Sequence, residues 1–577
     1  DWQGIQLWAF VLITLIIIWN YWVNVYQLNY STRGVIFGAG YTDLHVTRYA
    51  YYVMMAVTAF VAVYILAGMK RASFKQPLVG FGVLIGAAIV ITGIIPGVVQ
   101  GISVKPNELV RETPYIENNI AFTQRGFGLD RIDQQEFPVE DSLTAETFRP
   151  ETGITKNVRL WDHRPLKSTF AQIQEFRLYY NFDDVDVDRY TFDRELRQVM
   201  LSAREINYQQ IPPEAQTWVN RRLQYTHGYG LVMAPVNEIG PEGLPVLIVK
   251  NIPPEMSVPL ELDRPEIYYG EQSSDYVIVN TELPEFDYPQ GDTNVTVRYA
   301  GTGGLEVKDT FRKFLFALQL RSLEIIFTGY LNPDSRVMLN RSIQDRVPKL
   351  APFLRYDPNP YLVVSGGRLY WILDAYTTSD KYPYSTPHRD RHNYIRNSVK
   401  ITVDAYTGDV SYYIIDQEDP VIRTYDKAFP GMFEDFADMP DDLQRHIRYP
   451  LYLFDMQASI YTTYHMSEPT VFYNKEDQWN IPREIYGEEQ TDMIPYYTIV
   501  QFPEDQGREE FVLMLPFTPV NKNNMVAWLG ALCDPENYGE LVLYQFPKQK
   551  LVFGPLQIES RIDQNSEISQ LFTLWGQ

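Results

Sequence analysis

Hydrophobic positions fall into two regimes along this chain. In the first hundred residues they form three long runs, 5–26, 51–68 and 78–99, with no Asp, Glu, Lys, Arg or His inside any of them. About 20 apolar residues at helical rise cross the hydrocarbon of a bilayer, so the pattern predicts a transmembrane region over 1–100 with three helices. Trp2, Trp8, Trp19, Tyr21, Trp22 and Tyr26 flank the first run, where amphipathic rings favour the headgroup zone. Pro96 is expected to end or kink the third helix.

Beyond Gly101 the apolar runs shorten and interleave with polar residues. Helices are expected over 195–209, 213–225, 310–329, 335–350 and 451–466, the third of these as a buried amphipathic helix because its charges recur at helical spacing. Strands are expected over 368–376 and 398–406. Thr407-Gly408-Asp409 then turns the chain into 410–415, a hairpin signal with Gly where positive φ is needed. The hairpin at 398–415 resembles the strand–Asp-Ala-x-Thr-Gly–strand element of PepSY-type extracytoplasmic modules. Asp374–Thr377 repeats the Asp-Ala-Tyr-Thr of Asp404–Thr407, which reads as chance similarity of two hairpins. The expected fold class is a membrane-anchored α+β protein, with a first α+β region over 101–350 and a second, β-rich region over 351–577.

Charge sharpens this division. The net charge of the 577 residues is −22. Arg33, Arg48, Lys70, Arg71 and Lys75 outweigh Asp1 and Asp43 in the first hundred, so the remainder carries −25. Such a body is soluble and repels nucleic acid. Lys70, Arg71 and Lys75 cluster between the second and third spans, and the positive-inside tendency makes that connection cytoplasmic and the body extracytoplasmic. The lone Cys533 rules out intramolecular disulfides and thiolate metal clusters.

Candidate chemistry is sparse. Asp184, Asp186 and Asp188 alternate along one face if extended, and with Glu195 they occupy positions one, three, five and twelve of a calcium loop. Arg189 stands at the sixth position, where the sharp turn of that loop demands glycine. Calcium is the one cofactor these residues raise; salt bridging to Arg189, Arg194 or Arg197 is the alternative. Gly82, Gly86, Gly93 and Gly97 lie at four-residue spacing in the third span, as in helices that pack closely in lipid. His388 and His392 are four apart, without the Glu of a zincin motif. His227, in a glycine turn, is a candidate site loop and equally a helix C-terminus. The glycine-rich loop 34–45 lacks the lysine and hydroxyl of a phosphate cradle and is expected to pack on the body. No nucleophile elbow, Walker loop or dinucleotide fingerprint occurs.

Nine segments carry a family likeness: Lys105-Pro-Asn-Glu-Leu109, Arg111-Glu-Thr-Pro-Tyr-Ile-Glu-Asn-Asn-Ile120, Tyr225-Thr-His-Gly-Tyr-Gly230, Ile267-Tyr-Tyr-Gly-Glu271, Ala351-Pro-Phe-Leu354, Asp374-Ala-Tyr-Thr-Thr-Ser379, Arg396-Asn-Ser-Val-Lys400, His446-Ile-Arg-Tyr-Pro450 and Phe472-Tyr-Asn474. They resemble uncharacterised protein family 0182, bacterial multi-pass membrane proteins of unknown function. The resemblance implies further spans ahead of Asp1 and further chain beyond Gln577, and it carries over no catalytic residue. The expected role is a non-enzymatic scaffold, binding or assembly subunit in the bacterial plasma membrane, homo-oligomeric or part of a larger complex. A cell-envelope hydrolase using clustered carboxylates is the rival from another class, with a transporter third.

Overall fold

The computed structural model describes residues 2–69, 75–137, 139, 156–174, 177, 179–291, 293–487, 489–502 and 508–575. Three apolar helices open the chain: α1 (Trp2–Gln27), α2 (Arg48–Met69) and α3, which spans Leu78–Gly126 over 49 residues with a 3-10 turn at Lys105–Asn107. α2 packs between α1 and α3. Gly80 of α3 lies against Val61 and Ile65 of α2, close enough that an added Cβ would collide with them. Outward-facing Trp8, Leu12, Trp19, Phe60, Val63, Ile85 and Ile89 are exposed, as lipid-facing side chains are in a chain viewed without its bilayer.

Pro96 does not end the third helix. Proline removes one backbone donor and crowds the preceding turn. The chain absorbs this with π-helical turns at Ile89–Ile94 and Gln100–Val104, where longer hydrogen-bonded rings accommodate the defect. The helix then continues as Glu108–Gly126 into the body, where Ile116, Asn119, Ile120 and Thr123 are buried. Arg396 caps its end, donating from Nη1 to the Gly126 carbonyl (2.9 Å) and from Nη2 to that of Arg125 (2.5 Å), a cation placed on carbonyls that have no intrahelical partner.

The body is built on three sheets. In the first, β1 (Asp186–Phe192), β2 (Glu195–Ala203) and β3 (Leu231–Pro235) are antiparallel in that order. Helices α4 (Thr310–Leu320) and α5 (Glu324–Phe327) follow. The second sheet centres on β4 (Gly367–Ser379), β5 (Tyr394–Asp404) and β6 (Val410–Ile414), again antiparallel. Helix α6 (Leu451–Tyr464) leads to the third sheet, where β7 (Tyr496–Gln501) and β9 (Ala527–Leu532) flank β8 (Glu509–Pro519) and β10 (Leu541–Gln545) pairs with β9.

One core lies between the first two sheets, joining Leu201, Met233 and Met338 to Trp371, Ile401 and Val403; it runs across position 350. A second core packs α6 and Phe127 against Phe511, Leu513 and Leu529 of the third sheet. Burying each such Leu or Phe is worth about 1.5–3 kcal/mol.

Several expected elements differ from those observed. The 195–209 segment is not a helix but the central strand β2, with Val199–Ala203 buried and pairing on both edges. Its continuous apolar content, which mimics a helix in sequence, belongs to a strand covered on both faces. The 213–225 segment holds only a 3-10 turn at Pro213–Ala215 and a π turn at Asn220–Gln224. The 335–350 segment is a strand, Arg336–Met338, followed by a helix, Ile343–Leu350. The 310–329 helix breaks at Arg321, which is left-handed at φ 53°, and most of its apolar face is on the surface.

The 451–466 helix and the hairpin around Gly408 (φ 74°) form as expected. Loop 34–45 packs on the body: Asn119 donates to the Phe37 carbonyl (3.0 Å), Tyr384 to that of Ala39 (3.1 Å), and the Tyr41 amide to Glu112 (3.2 Å).

Candidate functional site

Asp186 and Asp188 project from β1 into the junction of the three sheets, and cations meet them there. Arg448 Nη2 lies 3.1 Å from Asp186 and Nη1 donates to the Val187 carbonyl (2.7 Å), with the guanidinium 3.9 Å above the Tyr361 ring. His446 Nδ1 donates to Asp188 at 2.7 Å. Arg189 donates to the carbonyls of Ile447 (2.5 Å) and Cys533 (3.1 Å) and pairs with Asp534 (3.2 Å). One layer away Lys400, fully buried, meets Asp374 at 2.5 Å and donates to the Arg448 carbonyl at 2.6 Å. Burial pushes the Asp186 carboxyl upward, and Arg448 pulls it back. The motif His446-Ile-Arg-Tyr-Pro450 is thus the clamp between the first and third sheets. Its imidazole and guanidinium satisfy the alternating aspartates of β1, since buried charges persist only when paired and hydrogen-bonded.

The four predicted calcium ligands are not brought together. Glu195 sits at the turn end of the β1–β2 hairpin opposite Phe192, while Asp186 stands opposite Leu201; six ladder steps separate them, about 20 Å. Glu195 pairs instead with Lys156 at 2.9 Å. Asp184 and Asp186 keep different company, Glu205 and Glu271. Glu205 accepts from the amides of Glu271 (2.8 Å) and Gln272 (3.1 Å) and so clamps the turn at Gly270. Among the described residues no three His, Cys, Asp or Glu side chains converge as a ready cation cage. Burial raises Glu205 to about 7, and raises Glu271 to about 9 with help from Asp186, Glu205, Asp183 and Asp184.

This corner predicts a pH signature. A carboxyl whose folded pKa lies above its unfolded value stabilises the fold fully below the unfolded pKa. That stability is lost as pH rises through the folded pKa. Glu271→Gln, which removes the titration, is expected to match the wild type in Tm near pH 4.5 and to exceed it by several degrees near pH 8. A pH-independent difference in thermal unfolding would show that the fold does not hold Glu271 above its ordinary value.

Sequence reasoning reached His227 as a candidate site loop and equally a helix C-terminus, without its partners. It is fully buried, and its Nδ1 lies 2.9 Å from Thr226 Oγ1, which donates its single proton to Glu285 Oε2 (2.6 Å). Nε2 faces Asp287 Oδ1 at 3.3 Å. Tyr268 closes the group, donating to Glu285 at 2.9 Å with its ring 4.6 Å from the imidazole. The segments 225–230 and 267–271 meet here because the strands Gly228–Tyr229 and Glu266–Ile267 pair, a juxtaposition no spacing in the sequence announces.

A cleft of about 650 Å³ opens where Arg189, His446, Asp442, Arg445, Asp534 and Arg508 converge. Glu510 behind it is raised to about 7, by burial and then by Asp534; its own carboxyl is sealed at 1 % exposure, while Asp534 lines the cleft. Gly82, Gly86, Gly93 and Gly97 meet nothing within 4 Å, so α2 packs beside this stripe and not on it.

Three apolar helices long enough to cross a membrane, fused through one of them to a mixed α/β body, define the class: a membrane-associated protein with a large folded domain. The chain belongs to the uncharacterised protein family UPF0182, whose model matches residues 3–575. It is similar to UPF0182 proteins of Pelotomaculum thermopropionicum (50 % identity over 97 % of this chain and 61 % of that protein), Desulforamulus reducens (49 %, over 97 % and 60 %) and Trichodesmium erythraeum (47 %, over 98 % and 63 %). The chain thus spans about three fifths of the length of the first two of these curated relatives. No solved structure matches it.

Proposed function

We propose that this protein is a membrane-anchored scaffold, binding or assembly subunit whose body stands outside the cytoplasm and works within a homo-oligomeric or larger membrane complex. The observation that carries this reading is the continuity of α3. A catalytic domain that only needs to stay near a membrane is served by a flexible tether. Here the spanning helix itself becomes a buried strut of the body, capped by Arg396 and bonded through Asn119, so the body's position relative to the lipid is fixed. Position matters to an assembly subunit. The outward orientation is supported by Lys75, which opens the third helix at the end remote from the body, in a connection rich in Lys and Arg. The open glycine stripe on α3 offers a packing face to another helix.

Solubilised in mild detergent, the full chain is expected to run as a multimer by native mass spectrometry. A clean monomer across a range of mild detergents would remove the assembly reading.

A further inference from the structure

The 310–329 segment places an unusual surface on the body. Phe311, Phe314, Leu315 and Leu318 stand at helical spacing along α4, and Leu323 and Phe327 extend the same face across the break at Arg321. Phe311, Leu318, Leu323 and Phe327 are 68, 68, 65 and 81 % exposed. The opposite side of α4 does the packing: Phe316 and Ala317 join Leu223, Ile278, Val307 and Val337 in a core of their own. The exposed face is therefore not a core helix turned by one residue; it is a second apolar face left without a partner.

Its size is at the upper end of what ordinary monomers expose. With 150–250 Å² per phenylalanine, the three rings and three leucines expose roughly 600 Å². Soluble monomers seldom exceed about 300–600 Å² in one patch, and one side of a standard stable interface buries about 800 Å². Lipid of the protein's own bilayer is not the natural cover. Arg336, on the strand packed beneath α4, bonds to the carbonyls of Gly303 and Gly304, and Gly303 abuts Thr407, at the end of β5 opposite Tyr394. The membrane-side loop meets the other end, where Tyr30 donates to the Lys381 carbonyl. The length of β4 puts about 40 Å between them.

We infer that this face docks against the same face of a second copy. The inference deepens the assembly reading above and rests on it, naming the surface through which copies meet. The rim is suited to self-pairing. Arg321 and Glu324, both exposed, stand three residues apart at the helix break. Arg321 has no ion-pair partner among the described residues, and Glu324 accepts only from Ser322 (2.7 Å) and its own backbone. Across a two-fold axis, residue i of one copy meets residue j of the other and the reverse, so two Arg321–Glu324 pairs form around the apolar centre. An otherwise acidic body of like charge would repel elsewhere; here the rim is balanced.

Cys533 is buried and leaves the chain free of reactive thiols, so single introduced cysteines report cleanly. Leu318→Cys in the full chain, in detergent or nanodiscs with a short bis-maleimide, is expected to cross-link most of the protein to a dimer. Ile239→Cys, exposed elsewhere on the body, is expected to stay monomeric on denaturing gels. Adding Phe314→Asp and Phe327→Asp to Leu318→Cys is expected to lower the cross-linked fraction at least tenfold. If Leu318→Cys links no better than Ile239→Cys while native mass shows a multimer, copies meet elsewhere; this inference fails and the assembly reading stands. A monomeric native mass for the wild type removes both. All three substitutions lie on exposed side chains, so a cross-linking result in the otherwise wild-type background does not depend on the aspartates being tolerated.

Discussion

Replacing Lys400 by methionine is expected to cost about 3–5 kcal/mol of stability, the usual price of leaving one member of a buried ion pair alone. Methionine fills a similar volume but donates nothing. Asp374, 3 % exposed, would keep only Asn397 Nδ2 (2.8 Å) as its side-chain donor, and the Arg448 carbonyl would lose its bond from Lys400. The double variant Lys400→Met with Asp374→Asn should recover most of that loss, because a neutral amide still accepts from Asn397 and no charge is stranded. Thermal or denaturant unfolding of the solubilised protein measures both. A double variant as damaged as the single one would mean that Lys400 acts through packing, not charge. The effect should be large because the Arg448 carbonyl joins this pair to the clamp at Asp186 and Asp188, so both ionic layers depend on one short segment, 446–450.

The second large effect is expected at the strut. Asn119 is fully buried where loop 34–45, α3, the β4–β5 connection and α6 converge. Its Nδ2 bonds the carbonyls of Phe37 (3.0 Å) and Tyr384 (2.8 Å) and Thr386 Oγ1 (3.0 Å), and its Oδ1 accepts from Tyr464 (3.1 Å). Asn119→Leu, nearly isosteric, would strand the two carbonyls in a dry junction at about 1–3 kcal/mol for each group left unsatisfied, while the Thr386 and Tyr464 hydroxyls would keep each other at 2.6 Å. The expected result is a loss of several kcal/mol together with faster protease cleavage within 34–41, because the membrane-side loop would release from the body before the sheets unfold. Loss of global stability without that local cleavage would show that Asn119 is an ordinary core residue and not the fastening between membrane part and body.

These two sites differ in how far the sequence reached them. The three apolar runs, the loop that packs on the body, the α6 helix and the hairpin at Gly408 were legible because each depends on neighbours within a few residues: a run of apolar side chains, a helical period, a glycine where φ is positive. The same local logic misread 195–209, since a strand covered on both faces has no alternation left to show. It also placed Glu195 beside Asp184, Asp186 and Asp188, because counting positions along the chain cannot see a hairpin carry the last ligand to its far end. His227 stayed undecided between a site loop and a helix C-terminus because its neighbours Glu285 and Asp287 come from about 60 positions away.

By itself, the sequence determined that the first hundred residues hold three apolar runs long enough to cross a bilayer, that the rest is an acidic α+β body, and which family the chain belongs to. Only the tertiary structure decided that the third helix passes through Pro96 and on into the body, that the aspartates of β1 answer His446 and Arg448, and that α4 turns Phe311 and Phe314 outward. Each of those outcomes depends on which distant surfaces meet, and burial, pairing and the fate of an apolar face are properties of the meeting surfaces, not of residues taken in order.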